Sequence, residues 1–188
     1  MSDSSHFVQF YEEDVFLIRS LSEFVSTGLS SDEAVIIVAT EPHRDSVERR
    51  LTASGIDLQA ARERGQYIPL DAADILSQFL VDGFPDEMLF AKVISGVLLR
   101  PADRYPRRRV FGEMVGLLWH VGNLGAALQL ERLWNDLASI QPFALYCAYS
   151  TKGLSGEENR TALLKICAQH SRVIPAESAA FAHPPDVS

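Results

Sequence analysis

The run Ala34–Ala39, AVIIVA, constrains the fold more than any other part of the chain. A strand with no polar interruption has no solvent face. It must be covered on both sides, which is the situation of a strand in a parallel sheet sandwiched by helices. The flanking segments supply such helices. His6–Tyr11 reads as a short first strand, and Phe16, Leu17, Leu21, Phe24 and Val25 then recur at helical spacing over Asp14–Thr27, closed by Gly28. Thr40 and Pro42 read as the cap and first turn of a helix to about Ala53. Tyr67–Leu70 predicts a third strand, and Asp71 caps a helix reaching Val81. Pro85 or Asp86 opens another helix, which ends before Pro101. Arg108–Met114 is a fourth strand, Gly116–Val121 and Leu124–Ile140 are helices broken at Gly122 and Asn123, Phe143–Tyr149 is a fifth strand, and Glu157–His170 is a last helix.

This alternation predicts an α/β fold, a three-layer sandwich with a mostly parallel central sheet. Right-handed crossovers then bring the loops Tyr11–Asp14, Thr40–His43, Asp71–Ala72, Glu113–Met114 and Tyr149–Lys152 to one sheet edge, where open α/β folds bind their ligands. At 188 residues, 47% hydrophobic and 22% charged, the chain fits one domain over residues 1–175. From Ala176 onward the Ala-, Pro- and Ser-rich stretch lacks periodicity, and residues 176–188 are expected to be a mobile tail.

With 17 basic against 25 acidic residues the formal charge is −8, which disfavours direct binding to nucleic acid or to an anionic membrane. Arg107, Arg108 and Arg109 are the local exception and read more readily as a solvated entry to a strand than as a phosphate site. No basic-plus-apolar leader and no membrane-length apolar run is present, so a cytoplasmic protein is expected. Cys147 and Cys167 match neither a disulfide framework nor a CxxC pattern, and Cys147 reads as a small core residue. No HxxxH or mixed Cys/His spacing points to a metal, and no cofactor is expected.

The common catalytic and nucleotide signatures are missing as well: GxxxxGK[ST] (the Walker A loop), GxGxxG, GxSxG and HExxH. Glu12, Glu13 and Asp14 follow Tyr11 where a phosphate loop would stand, and their charge argues against ATP.

The candidate site centres on Glu113, which interrupts an otherwise hydrophobic run from Val110 to Trp119 at the mouth of the fourth strand. A carboxylate there has three readings: it accepts from the amides opening the next helix, it anchors a small molecule, or it acts as a catalytic base. Tyr11, Thr40, His43 and Asp71 join it from the neighbouring loops, and His6, which starts the first strand, is placed at the same edge as a polar anchor or a hydrogen-bonded core histidine. His43 is alternatively exposed. Trp119 and Trp134 read as core or as ligand platform, and Glu131 and Asn135, one turn apart on a helix, brace a neighbouring loop or touch a ligand.

HFVQFY, TGL before AVIIVAT with His43 after it, RGQYIPLDA, FGEMV with Trp119, LERLWN and LYCAYS, in that order, together resemble the MEDS domain family, over about residues 6–174. The family takes its name from sensory regions of regulators in methanogens and methylotrophs. The resemblance implies a RecA-like or clock-ATPase-like fold without a phosphate loop, serving as a non-catalytic input module in prokaryotic signalling and transcription regulation, including two-component systems. Members are often joined to a histidine kinase or a DNA-binding domain; too few residues follow Tyr149 for a kinase, so output is expected through a partner such as a histidine kinase or transcription regulator, a homo-oligomer, or a ligand-dependent surface. A small apolar or organic ligand suits such a sensor. The alternatives are a constitutive interaction or oligomerisation module without ligand and, more remotely, an acid/base enzyme using Glu113.

Overall fold

The computed structural model describes residues 5–101, 103–152 and 157–177. In chain order its elements begin with β1 (His6–Tyr11), α1 (Asp14–Ser30), β2 (Ala34–Ala39), α2 (Glu41–Ala53), α3 (Leu58–Glu63), β3 (Tyr67–Asp71), α4 (Ala72–Ser77), β4 (Leu80–Val81) and β5 (Phe84–Pro85). They continue with α5 (Glu87–Leu99), β6 (Arg108–Gly112), α6 (Met114–His120), α7 (Leu124–Ile140), β7 (Ala144–Ser150), α8 (Glu157–Ala168) and β8 (Arg172–Ile174).

Six strands form one sheet in the order β3-β2-β6-β7-β1-β8, and every pairing in it is parallel. All six residues of AVIIVA are buried, as a strand with no solvent face requires. Alternate residues serve the two faces: Ile36, Val38, Cys147 and Tyr149 pack towards α4–α8, whereas Val35, Ile37, Phe111 and Tyr146 pack towards α1–α3. The result is a three-layer α/β sandwich. Among the described residues no helix is long and apolar enough to cross a membrane.

The structure departs from the sequence pattern where tertiary contacts override it. α1 does not stop at Gly28 but runs to Ser30. A Cβ at Gly28 would lie 2.6 Å from Val35 Cγ2 and 2.9 Å from Arg109 Cδ, so this glycine permits close approach of helix to sheet rather than ending the helix. α4 ends at Ser77, short of the expected Val81, because Leu80–Val81 pairs with Phe84–Pro85 in a hairpin. Its turn is Asp82-Gly83, both at positive φ (50° and 82°), a two-residue turn whose Asp-Gly signal was legible in the sequence.

The sixth strand, β8, is three residues long, pairs among the described residues with β1 alone, and carries too little pattern to predict. α3 was likewise not anticipated, although Asp57 caps it by accepting from the Ala60 N–H. β6 ends at Gly112 and α6 starts at Met114, each two residues earlier than expected; α7 has the expected limits. The anticipated tail does not begin at Ala176, which is buried in the core, nor at Glu177, whose carboxylate accepts from the Glu12 and Glu13 N–H groups. The expectation for residues 178–188 lies outside the described residues.

Candidate functional site

The ten candidate residues separate into two groups on opposite sides of the fold's logic: one at the carboxyl ends of the strands, the other buried under one face of the sheet. Glu113 leads the first. Its backbone N–H bonds to Val38 O (2.9 Å), which seats it beside β2, and the side chain makes no cap bond to α6 although it holds the N-cap position. The helix-cap reading is therefore corrected: the carboxylate crosses to the turn after β2. Glu113 Oε2 accepts from Thr40 N (2.8 Å) and Thr40 Oγ1 (3.2 Å), and Oε1 accepts from His43 Nδ1 (2.6 Å). Thr40 thus turns its hydroxyl to Glu113 instead of capping α2.

His43 is not exposed; its side chain is 12% accessible, with Nε2 3.7 Å from Asp14 Oδ2. Burial pulls the imidazole's pKa down, but the Glu113 hydrogen bond and charge, joined by Asp14, outweigh it, and the net shift is upward. Burial, with the Glu113 and Asp14 charges behind it, also pushes the Tyr11 phenol up, so Tyr11 stays a neutral hydrogen-bonding group. Asp71 has a different task. It caps α4 by accepting from Ala73 N and Asp74 N and pairs with Arg44 (2.8 Å); the Arg44 bond, ahead of those amides, holds its carboxyl below the usual range.

Tyr11, Glu113 and Trp119 line one cleft of about 380 Å3 at this edge, together with Gly116, Ser150 and Lys152. The volume lies within the usual range for small-molecule sites. A Cβ at Gly116 would come within 3.0 Å of Ala148 O, so that position keeps α6 tight against β7 beside the cleft. Trp119 packs edge-on against Tyr149 with ring centroids 5.4 Å apart, and its buried indole N–H has no hydrogen-bond partner among the described residues. Sequence reading found Tyr11, Glu113 and Trp119 but missed Gly116, Ser150 and Lys152; the Tyr149–Lys152 loop it placed at this edge was the available signal. Arg107 and Arg109 pair with Glu33, at the other end of the sheet.

The second group corrects the placement of His6. In a parallel sheet the first residue of β1 lies at the end opposite the loops that carry Glu113, and His6 turns inward beneath α7. His6 Nδ1 bonds Asn135 Oδ1 (2.9 Å), while Nε2 lies 3.2 Å from Glu131 Oε2 and 3.4 Å from Cys147 Sγ. Glu131 is fully buried: its Oε1 accepts from Tyr149 Oη (2.6 Å), and its Oε2 stands 3.4 Å from His170 Nε2 and 3.6 Å from Cys147 Sγ. Burial would raise the Glu131 pKa, yet His170 and His6 together hold it below the ordinary value. Burial, then the Glu131 charge, pushes the Cys147 thiol well above its own.

His6, Glu131, Cys147 and His170 present donor atoms that all lie within 4.8 Å of one another. The sequence offered no metal spacing because these four come from β1, α7, β7 and the turn after α8. In the sequence Cys147 reads as a small core residue and His170 as the end of the last helix, and no local signal joins them. Trp134 sits in the core between Phe90 and Phe143 (centroids 5.2 and 5.9 Å) and does not line the cleft.

A family model matches residues 5–170: MEDS, described as the MEthanogen/methylotroph, DcmR Sensory domain. No curated protein matches the chain.

Proposed function

We propose a sensory role for this protein, starting from the premise that the chain belongs to the MEDS family. In this reading the domain is a non-catalytic, cytoplasmic signalling module: a small organic molecule enters the cleft at the carboxyl edge of the sheet, and its binding alters the affinity for a regulatory partner, a histidine kinase or a transcription regulator. The observation that carries it is the cleft itself, about 380 Å3 at the carboxyl edge of the sheet, with Glu113 and Tyr11 as polar groups beside Leu117 and Trp119. A ligand with an apolar body against Trp119 and Leu117 fits the lining.

The Glu113 carboxylate is already held by Thr40 and His43, which suits an anchor and orienting group better than a free base. Glu177 occupies the amides at the start of α1, where a nucleotide relative would place phosphate, in keeping with a ligand other than ATP.

Native mass spectrometry of gently purified protein, followed by thermal-shift titration of any retained molecule and of ATP with magnesium, tests the reading. A retained molecule that stabilises the wild type and not Glu113→Ala supports it. No retained molecule and no shift with any small organic molecule tried would overturn it in favour of a constitutive interaction module. Partner affinity must then follow ligand occupancy through one coupling free energy.

A further inference from the structure

We propose that His6, Glu131, Cys147 and His170 form a binding site for one divalent transition-metal ion of zinc's class, buried between β1, β7, α7 and the turn from α8 into β8. This site is separate from the cleft and does not depend on the sensory reading.

The argument begins with the protons on the two imidazoles. His170 Nδ1 lies 2.7 Å from the Ile166 carbonyl, which can only accept, so Nδ1 carries the hydrogen. Asn135 Nδ2 donates to the Gln169 carbonyl (3.1 Å), which fixes the amide orientation and leaves Oδ1 facing His6 Nδ1 at 2.9 Å; that nitrogen too must carry the hydrogen. Both rings therefore turn Nε2 to the same point, where Glu131 Oε2 and Cys147 Sγ also converge.

With Glu131 ionised and no cation, both Nε2 atoms converge on one carboxylate oxygen, 3.2 and 3.4 Å away. Neutral rings point lone pairs at it, and two charged rings would stand with centroids 4.0 Å apart in a buried place. With one of each, the neutral ring's lone pair lies beside the carboxylate, and for His6 the donor within reach is the Cys147 thiol at 3.4 Å. Among the described residues His170 Nε2 makes no hydrogen bond: its 3.4 Å approach to Glu131 fails on geometry.

A divalent cation at the common point satisfies both Nε2 atoms, the carboxylate and the sulfur. The thiol proton leaves to solvent on binding, and the ion with one thiolate, one carboxylate and two neutral imidazoles is a neutral unit, which is what a buried site tolerates. Bonds of about 2.0–2.3 Å in a tetrahedron place donors roughly 3.3–3.8 Å apart; the four separations that involve Glu131 Oε2 or join His6 to Cys147 run from 3.2 to 3.6 Å, and the whole set lies within 4.8 Å. A sulfur with two imidazoles and a carboxylate suits zinc, not magnesium or calcium. The surroundings match too: Asn135 and Ile166 orient the rings and Tyr149 orients the carboxylate, the outer hydrogen bonds that metal ligands carry.

Chelator-stripped, untagged protein titrated with Co2+ and then Zn2+ tests the site. The expected result is one Co2+ per chain, with a sulfur-to-cobalt charge-transfer band and the intense visible bands of tetrahedral cobalt, all displaced by Zn2+. Cys147→Ser should lose the charge-transfer band, and Asn135→Ala, which removes the acceptor that orients His6 without removing a ligand, should weaken zinc binding about 10–100-fold with an unchanged circular dichroism spectrum. Absence of stoichiometric binding by the wild type, or a cobalt spectrum that Cys147→Ser leaves unaltered, overturns the proposal. Should a variant fail to fold, the wild-type cobalt spectrum decides alone.

Discussion

His43 Nδ1 donates to Glu113 Oε1 across 2.6 Å, joining the first turn after β2 to the end of β6. The bond is part-buried and stands beside two further bonds from Thr40 to the same carboxylate. Glu113→Gln replaces one acceptor oxygen by a donor that must face either Thr40 N–H or His43. We predict a loss of about 2 kcal/mol in urea unfolding with an unchanged slope. A change below about 0.5 kcal/mol would show that the carboxylate braces nothing.

The same pair gives stability a definite pH dependence. The folded His43 pKa lies above its unfolded value, so the contribution is fully present below about pH 6.5 and declines as pH rises through the raised folded value. Subtracting the stability of His43→Gln from that of the wild type across pH 5 to 9 should give a difference that shrinks on the alkaline side. A difference that grows with pH would mean that His43 is held neutral.

Trp119 borders the cleft and Trp134 does not, which separates their fluorescence. In a Trp134→Phe background the remaining indole should shift or quench when a ligand enters. In the Trp119→Phe background the remaining Trp134 emission should stay constant with the same ligand, and equal responses from both would place the binding elsewhere.

Gly28→Ala should destabilise although alanine is the better helix former. The added methyl meets Val35 Cγ2 at 2.6 Å in the helix–sheet seam, against a propensity gain of about 1 kcal/mol. Overpacking of this kind costs about 1–3 kcal/mol, so the net effect in thermal unfolding should be a lowered Tm. A raised Tm would show that α1 can slide to accept the methyl.

Asp86 accepts from the Leu89 N–H at the start of α5, and Asp86→Ala should cost about 1 kcal/mol, read as a lower urea midpoint. An unaltered midpoint would mean that solvent satisfies that amide as well.

Local chemistry was legible in the sequence wherever a residue's role depends on its near neighbours. AVIIVA has no solvent face, so it lies inside the sheet whatever surrounds it; Asp71 caps the helix that follows it because a short acceptor before a helical run has amides within reach. Turns after parallel strands must also gather at one edge, which is why the sequence alone groups Tyr11, Thr40, His43 and Glu113.

Strand order was another matter. Nothing within β1 says that β7 and β8 will flank it, and that placement sets His6, already at the amino end of its strand, beside Cys147 and beneath α7. His6, Glu131, Cys147 and His170 are spread along the chain, each unremarkable among its neighbours, and only the packing of α7 and the end of α8 on one face of the sheet brings their donor atoms together. Periodicity records which face of an element is buried; which elements then share that buried space is set by side-chain packing between segments far apart in sequence, and that the tertiary structure alone decides.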